Sequence, residues 1–386
     1  MKNSILQFLL IVLILGCSSD DSNNDNTSST PVLTSIQINS SNGNQLDLNG
    51  TNSTTLNVSG FDQFSNVITI TGTVQWSTNN NNITINQNGL VDAQSVGQSL
   101  VTASIENISE TFSITIINTT PQTGTFIYVS DAGNFDNPPW QILKYDENGN
   151  NPEVFINQNL AWPQDIVFLE NENVVLISNL NSGLINRYNA TTGAFIDNFA
   201  TGISGPTRMK IGTDNLLYVL QWSGNGNVLR YQLDGTFVDE FTNVGVNQSI
   251  GLDWDSTGNL YISSFANAHI RKFDTSGNDL GLFVNSNLQG PTDIWFDSNG
   301  VLLANDWSGG IVARFDTDGI FIDNFITGLS QPEGVSFLAN DNLLIGNGGT
   351  GAIKMYDGNG NFIEDIVSAG SGGLIQPNAV KVRVIN

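Results

Sequence analysis

Apolar and polar residues alternate in short runs along most of the chain, and the pattern is clearest over residues 290–319. Pro291 opens a turn, and Asp293-Ile294-Trp295-Phe296 follows as a short apolar strand. Asp297-Ser298-Asn299-Gly300 is a tight turn into Val301-Leu302-Leu303-Ala304. A polar loop through Asp306 and Gly310 leads to a third apolar run from Ile311 to Asp316, and Asp318-Gly319 turns into a fourth. Short apolar runs bounded by Gly/Asn/Asp turns predict antiparallel strands of one sheet.

The unit repeats. Its third-strand motif recurs as ILKYD, INRYN, VLRYQ, IRKFD, VARFD and IKMYD, with the aromatic residue at Tyr145, Tyr188, Tyr231, Phe273, Phe315 and Tyr356, a spacing of 41 to 43 residues. The Pro turn keeps step at Pro163, Pro206, Pro291, Pro332 and Pro377, with Ser249 replacing proline once. Six copies in series predict a six-bladed β-propeller over residues 119–386. The region enters on Phe126-Ile127-Tyr128-Val129, a second-strand motif, and leaves on Ala379-Val380-Lys381-Val382-Arg383-Val384, a first-strand motif. The C-terminal strand is therefore expected to complete the blade begun at the N-terminal side, which removes an exposed sheet edge.

Residues 31–118 alternate differently, in runs such as Ile36-Gln37-Ile38, Leu46-Asp47-Leu48, Thr73-Val74-Gln75-Trp76 and Ile83-Thr84-Ile85. Short, evenly spaced strands around one Trp predict a β-sandwich. The run VQWSTNNNNITINQNGLVDAQSVGQSLVTASI, residues 74–105, resembles the group 2 bacterial immunoglobulin-like domain through Trp76, Gly89, Gly97 and Ala103. That resemblance implies an immunoglobulin-like spacer or adhesive module. The repeat unit in turn resembles the NHL repeat and its regucalcin/gluconolactonase and streptogramin-lyase relatives. The fold class expected is all-β throughout: immunoglobulin-like sandwich, then propeller.

Composition narrows the partners. With 36 acidic and 12 basic residues the formal charge is −24, which argues against nucleic acid, since phosphate binding draws on Lys and Arg. The one cysteine, Cys17, rules out an intrachain disulfide. It follows Lys2 and an apolar run from Ile5 to Leu15, too short to span a bilayer and suited to a signal-peptide core. Ile14-Leu15-Gly16-Cys17 resembles a bacterial lipobox, which implies removal of residues 1–16 and acylation of Cys17. The Ser/Asn/Asp/Thr tract over residues 17–30 has no apolar residue to pack and reads as a flexible tether. A lipid-anchored, extracytoplasmic protein at the outer membrane or cell surface is expected.

Candidate chemistry sits where loops converge. The position after each Pro turn gives Gln164, Thr207, Ile250, Thr292, Glu333 and Asn378, and the next adds Asp165, Arg208 and Asp293. The regucalcin-like resemblance implies a catalytic calcium or magnesium held by Glu333 and Asn378. One carboxylate among neutral amides and an isoleucine is a poor set for a hard cation, although Asp165 and Asp293 offer a shifted one. Asp165 and Asp293 are more simply explained as turn caps bonding nearby backbone N–H groups. After the second strand, a polar column (Asp131, Asn179, Gln221, Ser264, Asp306, Asn347) reads as architectural. Beside it run Trp222, Phe265 and Trp307, with Trp140 near, as a rim platform for sugars or aliphatic ligands or as packing between blades. His269 is the only histidine and supports no histidine-dependent reaction by itself. The basic column Lys144, Arg187, Arg230, Lys272 and Arg314 reads as an ion-pair ladder between blades. Two functions stay open: a surface protein binding a protein or carbohydrate partner, and a divalent-metal-dependent hydrolase or lactonase.

Overall fold

A computed structural model describes residues 30–118, 123–135 and 137–386. The signal segment, Cys17 and nearly all of the tether lie outside the described residues, as do residues 119–122 of the linker. The chain forms two compact units, divided after Asn118. Both are all-β, and the helical segments among the described residues are short turns at Glu170–Glu172, Gly348–Thr350 and Ser371–Gly373.

In the first unit, one sheet orders Leu33–Ser40, Ser53–Asp62, Leu90–Ala93 and Ile83–Ile85, with Val67–Ile68 paired to Ser53–Asp62. The other orders Gln45–Asp47, Ile108–Ile117, Gly97–Ile105 and Gln75–Thr78. Period-two alternation aims Ile36, Leu56 and Val91 from one sheet and Leu46, Trp76, Val101 and Ile114 from the other into a single core. Gly89 is required where it stands: its φ is +77°, and a Cβ there would lie 2.2 Å from the Leu56 carbonyl. The predicted run Thr73-Val74-Gln75-Trp76 becomes a strand only at Gln75, and Val67–Ile68 is too short to show in the alternation.

The second unit contains six four-stranded antiparallel sheets. Five are built in sequence order from first strands Pro163–Leu169, Pro206–Ile211, Ser249–Trp254, Pro291–Phe296 and Pro332–Phe337. The sixth joins both ends of the region, since Gly124–Asp131 pairs antiparallel with Pro377–Ile385. The six first strands touch one another in a closed cycle. Six apolar clusters each draw on two neighbouring sheets, the seam included, where Ile127, Tyr145 and Val380 pack with Leu344 and Ile353. The repeated aromatics are the pins of these interfaces. Tyr145, Tyr188, Phe273 and Phe315 are fully buried, each worth about 2–3 kcal/mol on burial. The two tyrosines keep their hydroxyls satisfied, donating to Ser371 O and Gln158 O.

The basic column corrects the expected ladder. Register sets Arg187 opposite Asp197, Arg230 opposite Asp239 and Arg314 opposite Asp323, so each pair closes within its own sheet. Lys144–Glu153 and Lys272–Asp255 do the same. Most of these third-strand residues meet fourth-strand partners directly across the ladder.

Candidate functional site

The polar column after the second strands turns inward and ties loops. Asp306 accepts from the backbone N–H groups of Gln289, Gly290 and Gly309, and Asp131 from those of Gly133, Ile375 and Gln376. Asn179 and Asn347 accept from Ala161 N and Ser330 N. Each holds the segment entering a first strand against the end of the second, which fixes where the next residues point. Those next residues are Leu180, Trp222, Phe265 and Trp307.

They line a cavity of about 370 Å³ together with Phe135, Trp162, Gln164, Ile250, Thr292, Glu333 and Asn378. The rings stand in two groups along the wall. Trp222 and Phe265 stand 5.7 Å apart between centroids, Phe265 and Trp307 5.8 Å, and Phe135 and Trp162 5.3 Å. All five rings remain partly exposed, so they are not sealed between sheets. Trp140 is not in the wall. Its indole N–H donates to Phe135 O at 2.9 Å and so steadies the loop that carries Phe135.

Phe135 and Trp162 are the aromatics the repeat pattern does not disclose. Both adopt left-handed backbone, with φ of +46° and +57°, a conformation costly for bulky side chains. Trp162 sits where the other repeats carry Gly205, Gln248, Gly290, Gln331 and Gln376. Its Nε1 is also buried without a protein partner. Gln248, Gln331 and Gly205 share that left-handed backbone in the same column, so what sets Trp162 apart is its ring, which the fold places in the cavity lining. The one sequence signal was that exception in its column.

At the cavity floor lies a buried charge cluster. Arg208 is only 4% exposed in its side chain, and it reaches Asp293 Oδ1 at 3.3 Å and Glu333 Oε1 at 3.6 Å. It also donates to the carbonyls of Gln164 and, at 3.1 Å, Asn378. With its amide nitrogen facing Glu333, Asn378 donates to that carboxylate and accepts from Gln164 Nε2 at 2.7 Å. Asp165 accepts from the adjacent Ile166 N at 2.8 Å, and both Asp165 and Asp293 also reach beyond their own strand. Asp165 accepts from Met209 N at 2.7 Å and Asp293 from Val335 N at 3.1 Å, each stitching the neighbouring first strand. Where Gly251 takes that position the strands approach closely, and a Cβ would lie 2.2 Å from Thr292 O.

Burial raises the Glu333 carboxyl to about 7, with Arg208 opposing the shift and Asp293 adding to it. Burial likewise raises Asp165, against the pull of Arg208 and the Met209 N–H. Burial works against the charge of Arg208, but Asp293, Glu333 and Asp165 outweigh it and raise its pKa.

No protein-family model matches the sequence, and no curated protein matches it. Solved structures do. A chain from the crystal structure of a nidogen/laminin complex matches with a TM-score of 0.56 at 15% identity, over 67% of this chain and 98% of that one. A protein of unknown function from Bacteroides caccae matches with a TM-score of 0.54 at 14% identity, over 68% and 100%. The fold is a β-propeller. A gluconolactonase from Xanthomonas campestris matches with a TM-score of 0.44 at 15% identity, over 58% of this chain and 84% of that one. At such identities the first two likenesses speak for the propeller, and none speaks for an activity.

The propeller's floor does not fit the divalent cation that a gluconolactonase-like fold implies. Glu333 and Asn378 do come together, but a guanidinium already stands against Glu333 and Asp293 and supplies the positive charge. Ile250 contributes no oxygen to the ring. Among the described residues no three His, Cys, Asp or Glu side chains are grouped to hold a metal. The expected Glu333–Asn378 metal site is thereby replaced by an internal Arg208 cluster. His269 lies at the start of His269–Phe273, opposite Ser264, and is not among the cavity-lining residues.

Proposed function

We propose that this chain is a lipid-anchored binding protein of the cell surface. In this reading Cys17 carries the anchor, residues 17–30 the tether and residues 31–118 an immunoglobulin-like spacer. Residues 119–386 form a six-bladed, NHL-like propeller that holds a group of a protein or carbohydrate partner in its aromatic cavity. One observation carries it: the centre of the ring is an internally neutralised Arg208 cluster beneath an open cavity walled by aromatic rings. Apolar concave walls with a few convergent polar groups are the usual make-up of a binding pocket, and the volume suits a small ligand or one projecting side group. A metal-dependent hydrolase needs its oxygen donors free for the cation, and here they are engaged.

Two measurements test this. Trp222→Ala combined with Trp307→Ala is expected to weaken partner capture at the cell surface by roughly a hundredfold or more, with the thermal transition nearly retained, since central aromatic contacts carry most of an interface's energy. Unchanged capture would remove the cavity from the function. Titration of the intact protein with calcium and magnesium is expected to give no saturable binding dependent on Glu333. Saturable binding abolished by Glu333→Ala would restore the hydrolase reading.

A further inference from the structure

The geometry points to a compact organic cation, an alkylated or quaternary ammonium group, as the chemistry this cavity recognises. The inference rests on the binding reading above and names the class of group bound. Five rings (Phe135, Trp162, Trp222, Phe265 and Trp307) line the cavity, and an aromatic ring attracts a cation held over its face. Among the described residues, Glu333 is the only charged one in the lining. Arg208 is turned beneath the floor and engaged by Asp293, Glu333 and Asp165, with Gln164 and Asn378 neutral beside them. An occupant with positive charge would therefore meet the Glu333 carboxyl at the floor and aromatic rings at the wall together. A chain of formal charge −24 also draws cations toward it. A sugar would ask for several free hydrogen-bonding groups, and these are scarce. Thr292 Oγ1 donates to Pro332 O at 3.0 Å, while Gln164 and Asn378 bond to each other.

The same arrangement couples binding to a proton. Glu333 ionises near neutral pH because it is buried, with Asp293 facing it from the neighbouring first strand and Arg208 from across the ring. A cation in the cavity favours the carboxylate and lowers that pKa. Binding then releases a proton, and affinity rises with pH through about 7 before levelling off.

The probes are choline, benzyltrimethylammonium and the uncharged carbon isostere of choline, titrated into the intact protein by calorimetry and tryptophan fluorescence. A cation is expected to bind roughly tenfold or more tightly than the isostere. Its affinity should rise from about pH 6 to about pH 8, and Glu333→Gln should flatten that profile and reduce the preference for charge. Equal affinity for cation and isostere, with no pH dependence, would overturn the cationic ligand and leave the binding cavity intact. Failure of every cation, with capture of the partner still lost in the Trp222/Trp307 double variant, would likewise reject this chemistry alone. Cation binding undisturbed by that double variant would place the cation elsewhere and overturn the inference.

Discussion

Glu333 joins stability to function at the scale of one side chain. Its carboxyl, raised to about 7 by burial, keeps a proton in the folded protein that the unfolded chain releases above about 4.5. Protonation therefore favours the fold: the contribution is fully present below the unfolded value and is lost as pH rises through about 7. Asp165, also raised, acts in the same direction. Relative to Glu333→Gln, the wild-type protein is expected to lose on the order of 1–3 kcal/mol of unfolding free energy between about pH 5 and about pH 8. Parallel pH profiles of the two proteins in denaturant titrations would show that Glu333 does not titrate in this window. The column reading of the repeats found Glu333, Asn378, Trp222, Phe265 and Trp307, which the fold gathers into one cavity. It missed Phe135, which comes from an aperiodic loop, and Trp162, an exception in a Gly/Gln column. Nor does a column tell how far a long side chain reaches. Arg208 bonds to Asp293 and Asn378 across the ring, and that contact turns a presumed metal ring into a closed cluster.

At the scale of the element, the recurring Asp-x-x-Gly turn does more than reverse the chain. Asp255 accepts from the backbone N–H groups of Thr257 and Asn259, from Asn259 Nδ2, and from the Tyr261 hydroxyl at 2.9 Å. Burial alone would raise its pKa, but the bonds from Asn259, Thr257 and Tyr261 outweigh it and hold the carboxyl well below the usual range. Asp297, in the equivalent turn, accepts mainly from Asn299 N and Val301 N. Asp255→Ala is therefore expected to cost about 2–3 kcal/mol and Asp297→Ala about 1 kcal/mol, by chemical denaturation. Equal costs would mean that the Tyr261 and Asn259 side-chain bonds contribute nothing net. The turns and apolar runs were legible because Gly and Asp have local reasons to stand there. The direction of the ion pairs was not, because spacing gives the column of Arg187, Arg230 and Arg314 but only the register with the fourth strand gives their partners.

For the whole molecule, the seam between Gly124–Asp131 and Pro377–Ile385 decides whether the six sheets form a ring or an open row. The last strand supplies Val380 to the core shared with Leu344 and Ile353, and Arg383 to Glu170 at 2.7 Å and the Ala190 carbonyl in the next sheet. It also brings Asn378 to the cavity floor. Removing it would expose the ladder edge of Gly124–Asp131 and the apolar faces of two sheets, a template for aggregation. Truncation after Gln376 is expected to lower the propeller's transition midpoint by on the order of 10 °C or more, abolish ligand binding in the cavity, and promote association. A peptide of residues 377–386 offered to the truncated protein should restore both properties, since strand addition to an open edge supplies the missing ladder and Asn378 together. If truncation left the midpoint and the cavity unchanged, the sheets would be held by their pairwise interfaces alone, and closure would contribute nothing to the site.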